Sequence, residues 1–83
     1  MIVRVRYLAQ VRHAAGRSAE EVEVEDGCTV AALAARLAEA RHTLRGVLAS
    51  PTLLTFVGDE QARAGQVLGE GDEIIFTTPI SGG

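Results

Sequence analysis

Thr29-Val30-Ala31-Ala32-Leu33-Ala34-Ala35-Arg36-Leu37-Ala38-Glu39-Ala40-Arg41 is the stretch on which the fold turns. Val30, Leu33, Ala34, Leu37 and Ala38 recur at three- and four-residue intervals, so a helix over 30–41 has one apolar face. The other alanines favour a helix without requiring burial. Thr29 offers an oxygen to the orphan amides of the first turn, and Asp26-Gly27 before it marks a turn. No other helical segment in the 83 residues is as long. A single helix can bury its stripe only against another layer.

The flanking segments supply that layer. Residues 2–8 alternate, with Val3, Val5 and Tyr7 on one side and Arg4 and Arg6 on the other, which predicts a half-buried strand. Residues 9–15 are rich in helix formers and close on Gly16, a short helix. Residues 20–25 alternate again, with Val22 and Val24 expected inward and the glutamates in water. That period of two overrides the capping-box pattern of Ser18-Ala19-Glu20-Glu21. A weaker helical turn over 44–49 stops before Ser50-Pro51. Residues 53–57 predict a third strand, 60–72 an irregular glycine-punctuated segment, and 73–78 a last strand that Pro79 terminates.

This order predicts an α+β domain over 1–78, one mixed sheet of about four to five strands over one main helix, with a flexible tail at 79–83. Residues 53–57 and Ile74-Ile75-Phe76 are continuous apolar runs, the pattern of strands covered on both faces. One helix covers one face only. The other face is left either to the 60–72 segment folding back or to a partner protein.

Composition narrows the function classes. A chain of this length makes one domain, burying roughly 60–65% of its unfolded surface, too little for a deep pocket of its own. No apolar run approaches the roughly 18 residues of a membrane span, and the N-terminal residues alternate like a strand and not like a signal peptide. The formal net charge is −3 and all eight basic residues are arginine, spread along the chain. That balance argues against nucleic acid as a partner. The lone Cys28 rules out an internal disulfide or an all-cysteine iron–sulfur site, which makes the cytoplasm the expected location.

Few side chains suggest chemistry. His13 and His42 stand without neighbours at metal-ligand spacing and are expected at the surface. Gly69-Glu70-Gly71 lacks the lysine and following helix of a phosphate loop. Asp72-Glu73 reads as a turn and strand start, not a catalytic pair. Cys28 carries sulfur near a helix N-terminus, but its commoner role is that of a small buried hydrophobe. What remains is Pro79-Ile80-Ser81-Gly82-Gly83, a tail ending in bare backbone that can take conformations closed to other residues and approach another protein closely.

Three stretches bear a further resemblance. Arg6-Tyr7-Leu8-Ala9-Gln10-Val11-Arg12 with Ala15-Gly16, Asp26-Gly27-Cys28-Thr29-Val30-Ala31-Ala32-Leu33, and Gly69-Glu70-Gly71-Asp72-Glu73-Ile74 with the Gly-Gly tail together resemble the MoaD/ThiS sulfur-carrier family, nearest its molybdopterin-synthase branch. Two segments depart from the family pattern: Phe76-Thr77-Thr78-Pro79 stands where "F-P-P" is usual, and Thr55-Phe56-Val57-Gly58-Asp59-Glu60 where the "V-N-G" turn is common.

The resemblance implies a β-grasp, ubiquitin-like fold and a sulfur-carrier subunit, not an enzyme on its own. It implies that the Gly83 carboxylate is adenylated with ATP by an E1-like adenylating enzyme and that sulfur from a persulfide donor protein displaces AMP. The resulting thiocarboxylate would enter the large subunit of molybdopterin synthase and donate sulfur to a cyclic pterin precursor. On this reading Gly83 and Gly82 carry the chemistry, Phe76, Pro79, Ile80 and Ser81 contact partners, and the chain itself binds no cofactor and no metal. Carriers for thiazole or tRNA thiolation, and ubiquitin-like modifiers, share the tail and stand as alternatives.

Overall fold

In the computed structural model, which describes residues 1–79, the chain runs β1 (Ile2–Tyr7), α1 (Ala9–Ala15), β2 (Ala19–Glu23), α2 (Val30–Ala40), a 3-10 turn (His42–Leu44), α3 (Arg45–Leu48), β3 (Leu54–Val57), β4 (Glu60–Gln61) and β5 (Glu73–Thr77). The sheet has the order β2-β1-β5-β3-β4. β1 and β5 are parallel at its centre, and the remaining pairs are antiparallel. The first and last strands of the chain are therefore neighbours, and the long helix lies across one face of the sheet they centre.

Local chemistry places each boundary. Thr29 Oγ1 accepts the Ala32 amide at 3.1 Å, capping α2 as its sequence predicts. Gly16 closes α1 at φ +74°, a left-handed value open to glycine without strain. Val30, Leu33 and Leu37 of α2 are buried against Val3, Val5 and Tyr7 of β1 and Ile74 and Phe76 of β5. The stripe and the alternation thus meet in one core.

Three expectations are corrected. The segment read as irregular contains β4, a two-residue strand antiparallel to β3 through Phe56–Gln61 and Val57–Glu60. It is too short, and too polar, to show a period. The same segment does not fold over the outer face of the sheet. It is tied instead to the start of α2, where the Val30 and Ala31 amides donate to the Gln66 and Ala64 carbonyls and the Leu68 amide to that of Cys28. Leu68 joins the core. Finally, Glu20 is not in water. Residues 20, 22 and 24 share parity, so the alternation that turns Val22 and Val24 inward turns Glu20 inward as well.

One residue carries strain. Ala9, the first residue of α1, takes φ +53°, a left-handed value that costs a side chain with a Cβ about 1–2 kcal/mol. The turn is forced because β1 is held to its end, the Leu8 amide donating to the Phe76 carbonyl, before the chain doubles into α1. Ala9→Gly is therefore expected to stabilise the domain by about 0.5–1 kcal/mol after its extra unfolded-state entropy is counted. Urea denaturation of the two forms checks this.

Candidate functional site

β5 lies between β1 and β3, and Pro79 follows its last residues directly. The tail therefore leaves from the centre of the sheet, from the end where β1 turns into α1. Thr78 is buried just before it, and its Oγ1 has no hydrogen-bond partner among the described residues. Pro79 is exposed. Ile80, Ser81, Gly82 and Gly83, the other residues assigned to the tail, lie outside the described residues.

Cross-strand register decides which side chains face out beside this exit, because paired residues share a face. Phe76 pairs with Tyr7 and is fully buried in the core, so the side chain assigned to partner contact has no surface to offer. Its neighbour does: Ile75 pairs with Phe56 on one side and Arg6 on the other, and Leu54 pairs with Thr77. Leu54, Phe56 and Ile75 are half-buried and none belongs to the core cluster. They form an apolar strip on the sheet face opposite α2, beside the last residues before the tail. The continuous runs 53–57 and 74–76 hold this signal, since their apolar residues of outward parity have no cover from the described helices.

A second cluster lies on the inner side of β1 and β2. Tyr7, fully buried, donates its hydroxyl to Glu20 Oε2 at 2.6 Å. Arg41, the C-cap of α2, grips the same carboxylate with both terminal guanidinium nitrogens, and Arg17 stands 3.5 Å from Oε1. Burial pushes the Tyr7 hydroxyl well above the ordinary tyrosine range, and the Glu20 carboxylate adds to it. Burial also works against a charged Glu20, but the hydrogen bonds from Arg41 and Tyr7 and the nearby guanidinium charges outweigh it and hold the carboxyl below its ordinary value. The Glu20 hydrogen bond in turn raises Arg41. This links β1, β2 and the end of α2 through one carboxylate, a brace that sequence reading missed by placing Glu20 in solvent.

Other candidates are placed plainly. His13 and His42 are exposed, and no group of three or more His, Cys, Asp or Glu residues is arranged to hold a metal ion among the described residues. Cys28 is half-buried against the core with its thiol 3.4 Å from the Thr29 carbonyl. No helix among the described residues is long and apolar enough to cross a membrane.

A five-stranded mixed sheet in this order, clasping a single long helix, defines a ubiquitin-like β-grasp protein. The ThiS family model matches residues 5–83, nearly the whole sequence and including the Gly-Gly end, and the chain belongs to the ThiS family. Among solved structures it is similar to SAMP1 from Haloferax volcanii, at 24% identity and TM-score 0.89 with 100% of both chains covered. It is similar to a putative molybdopterin converting factor subunit 1 from Pyrococcus furiosus, at 22% identity and TM-score 0.84, covering 96% of this chain and 99% of that one. In the complex of subunits 1 and 2 of molybdopterin-converting factor from Helicobacter pylori 26695, the match has 18% identity, TM-score 0.69 and full coverage of both chains. At these identities the three share its fold. No curated protein matches the sequence.

Proposed function

We propose that this chain is the sulfur-carrier subunit of molybdopterin synthase, with the Gly83 carboxylate as its one reacting group. The observation that carries the reading is the family match running through Gly82 and Gly83. Tyr7-Leu8-Ala9-Gln10-Val11-Arg12 favours the molybdopterin branch over thiazole and tRNA carriers. A carboxylate is a poor electrophile, so the route goes through an activated intermediate. Its oxygen attacks the α-phosphorus of ATP in an E1-like partner and pyrophosphate leaves. The terminal sulfur of a persulfide then displaces AMP from the acyl carbon. A second partner cysteine thiol attacks the inner sulfur of the resulting acyl disulfide, forming a partner disulfide and releasing the thiocarboxylate. The thiocarboxylate is delivered to the large subunit. Five extended residues span roughly 16–18 Å, enough to carry the reacting carbon well clear of the folded domain.

The test is intact-mass spectrometry of the purified chain after incubation with the activating enzyme, ATP and a persulfide donor. The expected product has one C-terminal oxygen exchanged for sulfur. Conversion of a cyclic pterin precursor by that product and the large subunit then fixes the branch, and transfer to tRNA or a thiazole precursor would move it. A modifier is the second reading, prompted by the likeness to SAMP1, the small archaeal modifier protein 1 of Haloferax volcanii. It predicts isopeptide adducts on other proteins in the same mass spectra. Having no lysine, the chain cannot build lysine-linked chains on itself.

The apolar strip of Leu54, Phe56 and Ile75 serves, on this reading, as the surface that seats the domain while the tail inserts. A carboxylate placed at its centre would have to be desolvated on docking. Phe56→Asp is expected to weaken binding to the activating enzyme by about 2–3 kcal/mol, a factor of roughly 30–150, measured by titration calorimetry. Because Phe56 lies outside the core, the domain should keep its fold and circular dichroism.

A further inference from the structure

Outward from the apolar strip, toward the β1–β2 edge, the surface changes character. A cleft of about 400 Å³ is lined by Arg4, Arg6, Arg12, Ser18 and Glu73, with the Tyr7–Leu8 turn at its head. Three guanidinium groups therefore face one carboxylate, in a chain whose formal net charge is −3. They are not equally free. Arg4 is flanked in register by Glu21 and Glu73, and Arg6 reaches Glu73 at 3.8 Å. Arg17, beside the cleft, is turned to Glu20. Arg12 is exposed on α1 and makes no ion pair or side-chain hydrogen bond among the described residues. The cleft thus keeps a positive surplus, with Arg12 its unpaired charge and Arg6 only loosely held by Glu73, beside the point where β5 hands over to the tail.

We propose that this cleft receives a carboxylate-bearing segment of the partner protein, a glutamate or aspartate loop beside the mouth of the channel that the tail enters. The proposal rests on the carrier reading for where the partner sits, and on charge and reach for what it presents. The reacting carboxylate is the last of five residues that span at most roughly 16–18 Å, so the nucleotide it meets and the anion that meets the cleft are addressed by different parts of the chain. The anion meeting these arginines belongs to the protein surface around the opening. The guanidinium fork matches a carboxylate in bidentate fashion. Glu73 in the cleft and Glu21 beside Arg4 would repel a long polyanion such as a nucleic acid while leaving room for one carboxylate. Such contacts set the rotation of the domain about its tail, which an apolar strip alone, being non-directional, does not fix.

The full chain can be titrated with N-acetylated hexaglutamate while the arginine Nε–Hε NMR signals are followed, with inorganic pyrophosphate and a twelve-residue thymidine oligonucleotide as competitors. Saturable shifts confined to Arg6 and Arg12, with Arg4 smaller, are the expected result. Arg12→Glu should weaken the peptide by about tenfold or more, the loss of one charge-assisted contact, while Arg63→Glu leaves it unchanged. Equal shifts at all eight arginines, or tighter binding of pyrophosphate or oligonucleotide at Arg6 and Arg12, overturns the proposal. The titration does not involve the tail and should give the same result for a chain lacking Gly82 and Gly83. Failure to form a thiocarboxylate and failure of the cleft are therefore read in separate experiments.

Discussion

Deleting Gly83 is expected to abolish sulfur loading while leaving the melting temperature of the domain unchanged. The described domain is complete without the last residues: its core is Val3, Val5, Tyr7, Leu33, Leu37, Ile74, Phe76 and their neighbours, all within β1 to β5. Removing one residue beyond Pro79 takes nothing from that core. It does shorten the reach of the reacting carboxylate by about 3.5 Å, and misplacement by even 1 Å can cost a hundredfold in rate. Gly83→Ala keeps the length but adds a Cβ and restricts φ, so impairment short of abolition is expected. Intact-mass analysis of the loading reaction measures both, with thermal denaturation as the control. A deletion variant that loads at the normal rate would sink the carrier reading.

Replacing Glu20 by alanine carries the largest expected effect on stability. Tyr7 is fully buried, and its hydroxyl donates to Glu20, the carboxylate that also receives Arg41. Without that carboxylate the buried hydroxyl is left without its acceptor and the partly exposed Arg41 without its partner, a loss of about 2–3 kcal/mol, most of it at the hydroxyl. For a domain this size that corresponds to roughly 10–20 °C in melting temperature. Glu23→Ala, on the exposed outer side of the same strand, should stay within about 0.5 kcal/mol.

The brace also sets a pH window. Folding lowers the Glu20 carboxyl below its ordinary 4.5, so its contribution is complete above that value and is lost as pH falls through the folded value. Folding raises the Tyr7 hydroxyl above its ordinary 10.0, so its contribution is complete below that value and is lost as pH rises through the folded one. A stability plateau between the two is expected, and its acid edge should flatten in Glu20→Gln. Urea midpoints across pH measure both edges.

Much of this was legible in the sequence because α2 and β1 follow simple periods, and a stripe of Val30, Leu33 and Leu37 has only one use in a chain this short. The errors have physical causes. By residue type Glu20 reads as solvent-facing, while its parity with Val22 and Val24 puts it inside. Phe76 stands among the residues expected to contact partners, yet parity with Ile74 buries it and turns Ile75 outward. β4 has two residues, fewer than any period can reveal. The arginine cleft joins Arg6 on a strand to Arg12 on a helix and Ser18 past its end, a juxtaposition made only by the turn at Ala9.

The central position of β5 has a mechanical consequence. Tension applied to the tail runs along β5, which is bonded to β1 on one side and β3 on the other. Force parallel to the strands shears the hydrogen bonds of both ladders together instead of peeling them one at a time. β1 adds further anchorage, with the Met1 ammonium bonded to the Val24 carbonyl and the Arg4 amide to that of Asp72. A domain pulled through this strand resists unravelling until both ladders give way together.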